Sequence, residues 1–111
     1  MAHHEDSMKE AERLLCSGDA TQATHGRIMR EDIWQNFVRR GGGILYTATS
    51  EKEAREQIVD LLLELGLKTF RKSARSDLSI IWNREEPNRR QAHVSLGWRQ
   101  ASFILPNPPP Q

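Results

Sequence analysis

The sequence predicts an α+β fold: N-terminal helices, then a three- to four-stranded, mainly antiparallel sheet with one amphipathic helix packed on it. Three observations carry that expectation. Apolar residues recur at helical spacing between residues 27 and 40 and again between 51 and 65. They alternate at strand spacing in two later runs, Leu78, Ile80, Trp82 and Val94, Leu96, Trp98. The 111 residues, 37% hydrophobic and 28% charged, suffice for one core and are too few for two ordinary ones.

Residues 1–6 are polar and non-periodic and are expected to be disordered, leaving a single domain over 7–105. Ser7 and Glu10 have capping-box spacing, in which Ser bonds the third helical N–H and Glu reaches back. A short helix is predicted from Met8 to Cys16. Ser17, Gly18 and Asp19 then punctuate the chain, and Ala20 to His25 shows no apolar period, so a loop is expected there. Met29, Ile33, Trp34 and Phe37 mark one face of a second helix, which Gly41 should end by a left-handed cap.

Ile44 to Ala48 is β-prone and leads into a second capping-box pattern at Ser50 and Glu53. The helix that follows, about Glu51 to Leu65, carries Ala54, Ile58, Leu61, Leu62 and Leu65 on one stripe, and Gly66 stops it. Lys68 to Lys72 reads as a short strand. Leu78 to Trp82 and the run through Val94 form a hairpin with a long charged loop, and Ser102 to Leu105 adds an edge strand. The prolines of the 106–111 segment remove backbone donors and imply an extended, flexible tail. The expected order is thus α-α-β-α-β-β-β.

The glycines 41–43 invite comparison with a phosphate-binding loop, but such loops follow a strand and open a helix, so that free N–H groups meet the anion. Here they follow a helix, and the next helix opens with Glu51 and Glu53. They are read as a helix stop and a connector. Catalytic constellations are sparse: Cys16 is expected to be a buried small hydrophobe, His93 stands out of phase with inward Val94, and no residues have metal-ligand spacing. No catalytic residue, metal or cofactor is assigned, and the chain is read as non-enzymatic. A lone cysteine and the absence of a signal-like or 20-residue apolar run make a cytoplasmic location, with no membrane contact, the expectation.

Charge is the strongest signal outside the core. Residues 1–67 hold 8 Lys or Arg against 12 Asp or Glu, whereas residues 68–111 hold 8 against 3. Two binding readings follow. The first is a regulatory protein that acts through protein–protein contacts, as a homodimer, with Met8, Leu14, Leu15, Trp34 and Phe37 as interface candidates and the flat sheet face bearing Ser79, Ile81, His93 and Ser95 as further weakly charged surface. The alternative is a single-stranded or structured nucleic-acid binder. Its phosphate contacts would come from Lys68, Arg71, Lys72, Arg75, Arg84, Arg89, Arg90 and Arg99, with Trp98 stacking on a base.

Overall fold

The computed structural model describes residues 4–82 and 90–104, with side chains from Ser7 onward to Phe103 within those spans. The expected tail at 106–111, Leu105, and the loop arginines Arg84 and Arg89 lie outside them. The described chain has four helices, α1 (His4–Leu15), α2 (Ala20–Thr47), α3 (Glu51–Glu64) and α4 (Arg71–Ser76), and three strands, β1 (Leu78–Trp82), β2 (Arg90–Ser95) and β3 (Gln100–Ile104). The strands form one antiparallel sheet in the order β1-β2-β3. The predicted α+β class, helices with a three-stranded antiparallel sheet, is the one observed.

Several local expectations are corrected. α1 starts at His4, ahead of the Met8 start that the capping-box spacing indicates. The supposed loop at Ala20–His25 is the start of α2, capped by Asp19, whose carboxylate accepts the Thr21 N–H at 2.9 Å. Large apolar residues are missing there because α1 and α2 meet through small ones. A Cβ on Gly26 would stand 2.6 Å from the Ala11 carbonyl oxygen and 3.0 Å from the Leu14 Cβ.

Gly41 does not stop α2 either. The helix runs on through Gly42 and Gly43 to Thr47, so the strand expected at Ile44–Ala48 is helical up to its last residue. Packing outweighs the poor helix propensity of three glycines: Phe37 and Leu45 are buried on either side of them, and the Phe103 ring of β3 occupies the space a Gly41 side chain would need, 2.8 Å from the ideal Cβ. Phe103 also meets Phe37 edge-on at 5.5 Å between ring centroids.

α3 begins where expected. Ser50 Oγ accepts the Glu53 N–H at 3.1 Å, and the Glu53 carboxylate accepts the Thr49 N–H at 3.0 Å. It closes at Gly66, whose φ of 74° is the left-handed conformation of a helix stop, with Leu67 N–H returning to the Leu62 carbonyl at 3.0 Å. The strand expected at Lys68–Lys72 is replaced by a turn and α4. The helical turn buries Ala74 in the core, and it also sets Arg71 and Arg75, four apart on α4, opposite Glu56 and Asp60 on α3. Phe70, which a strand would have turned inward, is 71% exposed.

α2 and α3 cover one face of the sheet. Leu78, Ala92, Val94 and Phe103 point into that interface and join Ile58, Leu62, Trp34 and Phe37 in a single core. Among the described residues no helix is long and apolar enough to cross a membrane.

Candidate functional site

Because strand side chains alternate, the residues between those core positions form the opposite face of the sheet, which no described element covers. The register sets them in rows: Ser79, His93 and Ser102 lie side by side across the three strands, with Ile81 beside Gln91 in the next row. His93 Nδ1 and Ser102 Oγ are 2.9 Å apart. Ile81 is 62% exposed, an unusual state for a large apolar strand residue. A shallow hollow of about 160 Å³ opens among Ser79, Ile81, Gln91, His93 and Ser102. No Asp, Glu, Lys or Arg points out from the described residues of this face, in a chain in which 28% of residues are charged. The outward phase of His93 is as the sequence indicated.

The apolar interface candidates lie elsewhere. Met8, Leu14, Trp34 and Phe37 are buried within the chain itself, and Leu15 is half-buried at the end of α1. α1 therefore packs in cis on α2, and the surface these side chains were expected to offer is occupied. Cys16, expected to be buried, is exposed just past α1, because Leu14 rather than Cys16 takes the inward position.

Most of the described basic candidates are engaged with partners inside the fold. Arg71 bonds Asp60 at 2.6 Å and Glu56 at 3.3 Å, while Arg75 reaches Glu56 at 3.0 Å. Arg75 foremost, with Arg71, holds the Glu56 carboxyl below its usual range, and Asp60 raises the pKa of Arg71. Lys68 pairs with Asp77. Arg99 grips Glu31 with both terminal nitrogens, at 2.9 and 3.1 Å. Glu31 in turn has a lowered pKa, chiefly through the bond from Gln35 and then through Arg99. Arg71, Arg75 and Arg99 of the basic C-terminal half thus pair with carboxylates of the acidic N-terminal half.

Arg90 has a different task, serving the carboxyl end of α2. Its guanidinium donates to the carbonyls of Ala48 at 2.9 Å, Leu45 at 3.3 Å and Tyr46 at 3.4 Å, and stacks over Trp82 at 4.3 Å. Trp98 lies in the turn between β2 and β3 rather than on a strand. It is 37% exposed, with Arg30 over its ring at 4.4 Å and Trp34 against it at 5.5 Å. Lys72 stands exposed on α4, as do Arg71 and Arg75. No described group of three or more His, Cys, Asp or Glu side chains is arranged to hold a metal ion.

No family model, curated protein or solved structure matches this chain.

Proposed function

We propose that the protein is a small, non-enzymatic interaction module that works as a homodimer and docks another protein on the open face of its sheet. The supporting observation is the character of that face: free of charge, hollowed, and carrying Ile81 largely in solvent. A chain rich in charge that leaves one sheet face uncharged keeps it easy to desolvate, which is what contact with another protein requires. The neighbouring His93, Ser79 and Ser102 supply hydrogen-bonding groups that give such a contact direction. A nucleic-acid role would draw on the surplus of cations after residue 67. However, Lys68, Arg71, Arg75 and Arg99 already face carboxylates and Arg90 faces carbonyls, so phosphate contacts would first have to displace those partners.

The test compares proteins co-purifying with tagged wild type, Ile81→Glu and Lys72→Glu from nuclease-treated extract of the source cells. The expected result is a partner protein retained by Lys72→Glu and lost with Ile81→Glu. Partners indifferent to position 81, or a complex that disappears on nuclease treatment and with Lys72→Glu, would contradict the proposal.

A further inference from the structure

The face of one sheet is small. Three strands at about 4.8 Å spacing and five residues at about 3.3 Å rise give a patch of roughly 14 by 17 Å. A stable protein contact buries about 800 Å² on each side. The two edges of the sheet differ in how far they can extend it.

The hydrogen-bond phase defines both edges. Ser95 N–H donates to the Asp77 carbonyl at 3.0 Å, so residues 91, 93 and 95 of β2 direct their backbone groups toward β1. Leu96 and Arg99 exchange both bonds, at 2.8 and 3.3 Å, so residues 101 and 103 of β3 bond β2, and the N–H and C=O groups of Gln100, Ser102 and Ile104 point out from the sheet. On the β1 edge the matching outward carbonyl of Leu78 accepts from Arg55 at 3.2 Å, and α4 packs alongside. On the β3 edge the outward groups have no partner among the described residues. Natural edge strands are commonly protected by Lys, Pro or an inward charge. The β3 sequence, QASFI, has none of these.

We infer that β3 pairs antiparallel with β3 of a second copy across a two-fold axis at Ser102, joining two three-stranded sheets into one of six strands. The inference rests on the proposed docking role and specifies the dimer behind it. Centring on Ser102 sets Gln100 opposite Ile104 of the other copy, so that each outward N–H meets an outward C=O and about six main-chain bonds form. A second copy fits because the pairing is self-complementary and an uncharged strand meets no like charge. The helix layers stay on one side, and the two open faces become continuous, doubling the docking surface to roughly 28 by 17 Å.

The test is sedimentation equilibrium from 1 to several hundred micromolar, at about 0.15 and 0.5 M salt. Wild type should approach twice its 12.8 kDa mass at both salts. Ser102→Pro removes an outward donor and leaves the β2–β3 ladder intact, so it should raise the dimer dissociation constant at least about tenfold. Independently of that variant's folding, exchange of the Ser102 amide in wild type should slow as the protein is concentrated, while that of Ala101 stays constant. A monomeric wild type throughout, or a Ser102 amide insensitive to concentration, would overturn the inference. Ile81→Glu separates the two claims: a monomeric wild type whose partner is still lost with Ile81→Glu removes only the dimer, and an intact dimer whose partner ignores Ile81→Glu removes only the docking face.

Discussion

Arg90 donates to the carbonyl of Ala48, 42 positions earlier in the chain, across 2.9 Å, so a strand residue caps the end of α2. The last carbonyls of α2 have no basic residue of their own last turn to meet, and the guanidinium supplies that charge from the sheet. Arg90→Ala is expected to destabilise the protein by about 1.5 to 3 kcal/mol, the range for hydrogen bonds to a charged group. Urea unfolding measures the loss. Hydrogen exchange should localise it to residues 44–48, and a variant with unchanged stability would show that the cap contributes nothing.

The three consecutive glycines make opposite predictions. Gly42 and Gly43 have open space around an added Cβ, so Gly42→Ala and Gly43→Ala should each stabilise the helix by about 0.5 to 1 kcal/mol. Gly41→Ala drives a methyl into the Phe103 ring and should cost about 1 to 3 kcal/mol. Thermal unfolding of the three single variants tests this directly. A uniform response would mean that the run does not lie within a continuous helix packed on β3.

Acid should weaken the fold through Glu56. Its pKa is lowered in the folded state, first by Arg75 and then by Arg71, whereas the unfolded chain keeps an ordinary value of about 4.3. The unfolded state therefore takes up the proton first as pH falls, and the stabilisation, complete above about pH 5, is lost progressively below it. Glu31 and Glu53 shift in the same direction, Glu53 mainly through Thr49. Melting temperature followed from pH 7 to 3 should decline in wild type and decline less in Glu56→Gln. Parallel curves for the two proteins would remove Glu56 from the explanation.

Ile81→Glu should change stability by no more than about 0.5 kcal/mol, because the side chain is already 62% in solvent. A loss of several kcal/mol would mean that the face is covered in the folded protein.

Where side chains alternate strictly or form a wide helical stripe, the fold was legible in the sequence. β1, the inward phase of Val94 and all of α3 follow from spacing alone. The beginning of α2 was not legible, because Gly26 and Ala11 pack by closeness rather than by size and leave no hydrophobic period. Its end was obscured by a glycine that serves Phe103 instead of a cap. The sequence also showed the charge asymmetry, but not that Arg71, Arg75 and Arg99 would meet the carboxylates of the other half, since those pairs span 11 to 68 positions. Of the candidate site, Ser79, Ile81 and His93 could be placed on one weakly charged face from strand phase. Their alignment with Ser102 depends on register, which one-dimensional spacing does not determine.

The most direct test of the docking face is site-specific photo-cross-linking, with a benzophenone side chain at position 81 and, in a second protein, at position 72. After irradiation in native extract treated with nuclease, position 81 should yield a discrete adduct with a partner protein and position 72 should yield none. Adducts from position 72 alone, or none from position 81 while the partner still co-purifies, would place the contact away from the sheet and contradict the proposal.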